Sequence, residues 1–248
     1  MPEVDIVLVE PLYEGNVGFA ARAMKNFGFK NLVLVNCCSL GDEAIARASH
    51  ARDILQSALH LTLEEVFARS ALSVATTGTT GKSVTNPMRM PYYSPAELRE
   101  IISPIDGRVS ILFGRENWGL NNEEISRTDL ICTIPASDEY PIINISHAVA
   151  IICYELAGLP RGEYLLASRL EMDCLFAHIS SFLDRISHPP EKRAVTLLLI
   201  RRVLGRTHLT AREASTLHGL MRRTEWHLDN PEGSDKSDQV PHNGNDPC

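Results

Sequence analysis

The sequence has no apolar run long enough to cross a bilayer; its longest, at 195–200 and 142–145, fall far short of the roughly 20 residues a membrane helix needs. It does not begin with a basic start followed by an apolar stretch, so no secretory signal is expected. Its six cysteines show no CxxC spacing and two are adjacent, which argues against a zinc site or a disulfide framework and for a reducing, cytoplasmic setting. No internal repeat is evident. What is present is ordinary globular composition: 248 residues, 44% hydrophobic and 22% charged, enough for a normal core without metal or disulfide staples.

The net charge of −7 is unevenly spread. Residues 1–160 carry more carboxylates than cations, residues 161–228 carry 11 Lys+Arg against 7 Asp+Glu, and residues 229–248 are acidic again. A basic segment is therefore hidden inside an acidic protein, and the overall charge is a poor guide to partners.

Hydrophobic patterning places strands near 4–9, 32–36, 72–77, 109–113 and 130–134. Helices are expected near 16–27, 42–55, 62–69, 95–102, 121–126 and 146–156. Thr62 with Glu65, and Ser94 before Pro95, mark two helix starts. Apolar strands alternating with helices indicate an α/β protein with a parallel sheet covered on both faces, whose ligands gather at the carboxyl ends of the strands. Gly158-Leu-Pro-Arg-Gly162 reads as the domain break. Beyond it the strand pattern stops, and three amphipathic helices are expected near 165–187, 191–205 and 211–228, the last opened by Thr210 and Glu213. From Asp229 the chain is nearly devoid of apolar residues and should be disordered. The expected domains are thus 1–160, 161–228 and the tail 229–248.

Gly78-Thr-Thr-Gly81-Lys82-Ser83 suggests a phosphate loop, but that pattern requires a glycine where Thr76 stands. A glycine-rich turn after a strand is the better reading. Three other segments stand out. Asn16-Val-Gly18-Phe-Ala-Ala-Arg22 opens the first helix; Gly18 allows a close backbone approach, and Arg22, nearly two turns on, is expected on roughly the same side as Asn16. Phe113-Gly-Arg115-Glu116-Asn-Trp-Gly119-Leu-Asn-Asn-Glu-Glu124 follows the fourth strand with the layout of a ligand loop. Ile134-Pro135 and then Tyr140-Pro-Ile-Ile-Asn144-Ile-Ser146-His147 run from a strand end into a helix for which Ser146 is a candidate N-cap. Singly, each has a bland reading: a solvated arginine, a turn with a cap, a rim histidine.

Together and in this order, the three segments resemble the motifs of the SPOUT methyltransferase superfamily, in its TrmH/SpoU branch. The resemblance carries motifs over about 4–157 and continues more loosely to about 228. It implies a parallel sheet whose C-terminal part is threaded into a trefoil knot, followed by a small helical extension. It also implies a homodimer that binds S-adenosyl-L-methionine. Carried over residue by residue, the cofactor pocket would comprise Thr77, Gly78, Thr79, Gly114, Ile134, Ile142, Ile143 and Asn144. Gly114 would let the backbone approach the ligand. Methyl transfer to a ribose 2′-hydroxyl would use Arg22 to stabilise the developing alkoxide, since an arginine is effectively always protonated. Asn16 would orient substrate or Arg22, and Glu116 with Arg115 would organise the loop. Many relatives have a serine where this chain has Ile142, so no hydroxyl role transfers.

Within the branch the chain most resembles tRNA 2′-O-methyltransferases that act on nucleotide 32, a cytidine of the anticodon loop. The RNA surface would then comprise Arg115, Arg193, Arg201, Arg202, Arg206 and Arg212, joined by Arg222 and Arg223. No metal and no membrane partner are expected. A ribosomal-RNA methyltransferase of the same family, and a non-catalytic RNA-binding protein that kept the fold, are the competing readings.

Overall fold

The computed structural model describes residues 2–79, 87–158 and 164–230. The described chain divides into two compact units, Met1–Leu165 and Leu166–Cys248. Most of the expected break at 158–162, the residues Gly81, Lys82 and Ser83, and the tail 231–248 lie outside the described residues.

The first unit runs β1 (Glu3–Val9), α1 (Glu14–Asn26), β2 (Asn31–Val35), α2 (Asp42–Ala48), α3 (Arg52–Gln56), β3 (Leu59–His60), α4 (Leu63–Arg69), β4 (Leu72–Thr76), α5 (Pro95–Ile102), β5 (Ile105–Asp106), β6 (Arg108–Phe113), α6 (Asn122–Ser126), β7 (Leu130–Cys132), α7 (Ile145–Leu156) and β8 (Tyr164–Leu165). Six strands form one sheet in the order β3-β2-β1-β6-β4-β7, every pair parallel. β5 and β8 form a separate two-stranded ribbon. The central strands are buried along nearly their whole length and are mostly apolar on both faces, with Asp5, Ser73 and Ser110 as buried polar exceptions. Val7, Val33, Ala75, Leu112 and Ile131 share one core cluster, with Val66 and Phe67 of α4 laid over it.

Local chemistry explains the boundaries. Thr62 with Glu65, and Ser94 with Glu97, form reciprocal capping boxes at the starts of α4 and α5. The expected single helix at 42–55 is two helices joined by a turn of 3-10 helix at Ser49–Ala51, where Ser49 takes a φ of +52°. Its apolar spacing survives because Ala44, Ala48, Ala51 and Ile54 all remain buried across the break. β7 stops at Cys132, short of Ile134: Thr133 leaves the ladder to donate its N–H to Tyr93 O and its hydroxyl to Thr77 O. Gly18 packs as expected. A Cβ there would lie 2.3 Å from the Ala44 carbonyl oxygen, so α1 meets α2 backbone to backbone.

The second unit holds α8 (Arg169–Arg185), α9 (Pro190–Thr207) and α10 (Ala211–Asp229). Ser168 with Glu171 and Thr210 with Glu213 cap α8 and α10. Ala167, Leu175 and Ala214 form its apolar centre, flanked by Met172, Ile179, Leu204, Leu217 and Met221. Among the described residues, no helix is long and apolar enough to cross a membrane. Cys37, Cys38, Cys132 and Cys153 are free thiols.

Candidate active site

The carboxyl ends of β4, β6 and β7 open into a cavity of about 220 Å³. It is lined by Thr77, Gly78 and Thr79 after β4, by Gly114 and the turn that follows β6, and by Ile134, Ile142 and Ile143 after β7. Seven of the eight residues expected at a cofactor pocket therefore meet around one space. The eighth, Asn144, is placed beside it by hydrogen bonds described below. Ile142 folds back over the glycine turn: a Cβ on Gly78 would lie 3.0 Å from its Cδ1.

Gly114, on the cavity wall, is also required by the protein's own turn. A Cβ there would fall 2.1 Å from the carbonyl carbon of Gly119 and 2.2 Å from the amide nitrogen of Leu120. The turn packs directly against this glycine. That turn is closed by paired backbone bonds between Arg115 and Gly119, with Gly119 at a φ of +70°.

Arg115 organises this turn from inside. Only 6% exposed, it gives Nη1 and Nη2 to the two oxygens of Glu124, each at 3.0 Å, and Nε to Glu10 at 2.8 Å. The guanidinium holds the Glu10 carboxyl below its ordinary range, while bonding to Glu124 raises Arg115's own pKa further. Glu124 is doubly committed, since it also accepts the Asn121 N–H in the capping box of α6. Arg115 is thus an internal clamp of the turn, with its guanidinium engaged by Glu124 and Glu10.

Glu116 points the other way. Its carboxylate accepts the backbone N–H groups of Leu12 and Tyr13 and the Asn16 amide at 2.9 Å. α1 has no cap from its own Tyr13, so a carboxylate from a distant loop sits at its positive end instead. Asn16 Oδ1 in turn accepts Asn144 Nδ2 at 3.2 Å. Asn144 Oδ1 receives both the N–H and the hydroxyl of Ser146. Asn144, and not Ser146, is therefore the N-cap of α7. Ser146 is buried with its hydroxyl consumed, and His147 is exposed at the rim.

Arg22 stands apart. It is exposed, does not line the cavity, and has no hydrogen-bond or ion-pair partner among the described residues. Its offset from Asn16 amounts to about 600° of helical rotation, so the two side chains diverge by roughly 120° rather than sharing a face.

Two lining residues escaped sequence reasoning. Arg89 donates to Thr77 Oγ1 at 2.7 Å and to Asn122 Oδ1 at 3.4 Å, and faces no carboxylate among the described residues. Its only sequence signal was a cation between Pro87 and Pro91 with no acidic neighbour. Trp118 is 57% exposed at the turn, with the Arg115 guanidinium 4.2 Å from its ring centroid. Cys132, at the cavity wall, is pushed up to about 12 by burial, and Cys37, which faces Glu116, likewise. Burial thus favours the neutral thiol at both positions. Among the described residues, no group of three or more His, Cys, Asp or Glu gathers to hold a metal.

The expected RNA arginines of the second unit divide. Arg193 is locked onto both oxygens of Asp184 at 2.8 Å and onto Ser180. Arg201 lies over the Phe176 ring at 4.0 Å, and Arg202 is 2% exposed. Arg202 is buried within the helices, whereas Arg193 and Arg201 are partly covered and engaged with neighbouring helices. Arg206, Arg212, Arg222 and Arg223 are exposed.

A parallel sheet with a glycine-edged cavity at its strand ends is the layout of a ligand-binding α/β protein. Comparison with known proteins shows which kind. The pattern of the SpoU rRNA Methylase family matches residues 3–154. The tRNA (cytidine-2′-O-)-methyltransferase TrmJ of Methanocaldococcus jannaschii is 38% identical over 223 residues, covering 86% of this chain and 96% of its own. The tRNA (cytidine/uridine-2′-O-)-methyltransferase TrmJ of Escherichia coli K12 is 34% identical, covering 91% and 96%. The crystal structure of TrmJ from Z. mobilis ZM4 superimposes with a TM-score of 0.71 at 29% identity, covering 91% of this chain and 99% of that one. The protein is a methyltransferase of the SPOUT type. Within that class, the chain belongs to the SpoU methylase family.

Proposed function

We propose that the protein is an S-adenosyl-L-methionine-dependent tRNA ribose 2′-O-methyltransferase acting on nucleotide 32, a cytidine of the anticodon loop. The observation that carries this is a cavity walled by two of the distant segments and tied to the third through Asn16, in a chain whose similar relatives over nearly their full lengths are named tRNA 2′-O-methyltransferases. A cytoplasmic setting follows from that substrate. The domain assignment that goes with it is catalysis in 1–160, RNA binding and dimer support in 161–228, and a disordered acidic tail.

The donor set fits the cofactor. Ile134, Ile142 and Ile143 offer apolar walls for an adenine, and Arg89 offers a cation to an anionic group. When bound, S-adenosyl-L-methionine supplies an already activated methyl group. The chain's own task is alignment and charge. Glu116, Asn16 and Asn144 hold the first helix and the last loop in fixed relation. Arg22 stabilises negative charge on the attacking ribose oxygen or positions its phosphate. The trefoil knot of the family is part of this reading.

Arg22 lies outside its own chain's cavity, which supports a homodimer in which it serves the cavity of a second copy. Exposed Tyr13 and Phe19 near α1, and Tyr154 on α7, are apolar surface that such a copy would cover. Arg206, Arg212, Arg222 and Arg223 supply phosphate contacts.

The family's description favours a second reading, ribosomal RNA as substrate. Incubation with labelled donor and either bulk tRNA or ribosomal RNA separates the two. Label in tRNA alone supports the proposal, label in ribosomal RNA alone replaces it, and label in neither overturns both.

A further inference from the structure

Trp118 neither clamps the turn nor ties the cavity loops together, yet its surroundings are unlike those of an incidental surface aromatic. It sits in the Arg115–Gly119 turn, which is closed by the Gly119 N–H donating to Arg115 O at 2.8 Å and the Arg115 N–H to Gly119 O at 3.3 Å. The Arg115 guanidinium lies 4.2 Å from its ring centroid, within the range of a cation–π contact. That guanidinium is itself fixed by Glu124 and Glu10. The indole is thus held by an immobilised cation, while 57% of the residue remains open at the edge of the cavity.

A large aromatic surface left in water and held rigid beforehand loses little entropy when a second flat group stacks on it. Every nucleobase presents such a face, and RNA loops are recognised by splaying bases onto aromatic side chains. We infer that Trp118 is a stacking shelf for a nucleobase of the RNA substrate at or beside the target ribose. The donor's adenine is the other available π-face. The isoleucine walls suit it better, because a shelf this exposed cannot keep water from a buried ring. Stacking tolerates any base, so the shelf contributes affinity and orientation rather than base choice. This inference rests on the reading of the protein as an RNA methyltransferase.

The test uses the full chain. It has two tryptophans, so Trp226→Phe leaves Trp118 as the sole indole emitter. Saturable quenching by bulk tRNA, with no quenching by S-adenosyl-L-methionine alone, is the expected result. Trp118→Ala should raise the KM for tRNA by roughly tenfold or more with donor affinity unchanged, and Trp118→Phe should recover most of the loss. Quenching by the donor alone overturns the inference in favour of an adenine shelf. Blue-shifted, quencher-inaccessible emission without RNA overturns it in favour of burial between two copies. Tight tRNA binding without quenching, or an unchanged KM in Trp118→Ala, overturns it while leaving the transferase reading intact. Absence of methyl transfer to any RNA by the parent protein removes that reading, and the inference with it.

Discussion

The Asn16 amide donates to Glu116 Oε1 at 2.9 Å, joining residues one hundred positions apart in the sequence. Because Asn16 also accepts from Asn144, this one side chain ties the first helix to both of the loops that wall the cavity. Glu116 has little freedom to do anything else, since its other bonds go to the backbone entering α1. Glu116→Gln places an amide where these N–H donors need acceptors. It should lower stability by about 1 kcal/mol, or roughly 3 °C in Tm. Methyl transfer should fall about tenfold, because the loops lose register. Scanning calorimetry beside a transfer assay checks both; an unchanged protein on both counts removes Glu116 from the account.

Arg22 predicts the opposite separation. It is exposed and has no partner among the described residues, so Arg22→Ala should change stability by less than about 0.5 kcal/mol. Donor affinity should be unaltered and turnover should fall about 100-fold or more. If Arg22 serves the cavity of a second copy, mixing Arg22→Ala with a donor-binding variant such as Gly78→Leu restores part of the activity in mixed dimers. Failure to restore it places Arg22 and the donor it serves in the same chain.

Gly114→Ala tests the turn. The added methyl group meets backbone atoms of Gly119 and Leu120, which cannot swing aside as a side chain would. A loss of about 3 kcal/mol is expected, together with loss of donor binding, measurable by denaturant titration and calorimetry. Gly219, where nothing lies within 4 Å of an added Cβ, is the control position: Gly219→Ala should be neutral or stabilising.

The second unit should respond to acid. His178 Nδ1 and His218 Nδ1 lie 2.8 Å apart, a bond that needs one N–H and one lone pair, and His178 Nε2 is 3.1 Å from Glu225. Burial holds the His218 pKa below its ordinary value of 6.5, with the charges of His178 and Arg222 acting in the same direction. The unfolded chain therefore binds this proton more readily than the folded one. The stability that depends on the neutral ring is present above about pH 6.5 and is lost as pH falls. Denaturation followed through Trp226 on α10, in a Trp118→Phe background, should show a falling midpoint from pH 7 to 5.5, and His218→Gln should flatten that slope. A wild-type profile already flat over this range contradicts it.

The sheet was legible because its strands are continuous apolar runs, and the helix starts because Thr62, Ser94 and Thr210 carry local caps. The cavity residues were legible through motif order alone; nothing in the spacing of Gly78, Gly114 and Ile143 says that they meet. What escaped reading depended on partners far along the chain. Arg115 looked like a surface cation because Glu10 lies 105 residues away. Arg193, Arg201 and Arg202 looked alike with Arg206 and Arg212, since helical spacing does not reveal which turn faces a neighbour. Ser146 looked like a cap because serine usually is one, yet Asn144 caps the helix two residues earlier. Arg22 seemed to share a face with Asn16 until the rotation of the helix was counted.

The most direct measurement is the identity of the atom that receives the methyl group. Bulk tRNA incubated with the protein and labelled S-adenosyl-L-methionine can be digested to nucleosides and to mapped fragments, and both read by mass spectrometry. The account predicts one new ribose-methylated cytidine, located at position 32 of the anticodon loop. A label on a base rather than a ribose, or unlabelled RNA from a protein that binds the donor, contradicts it.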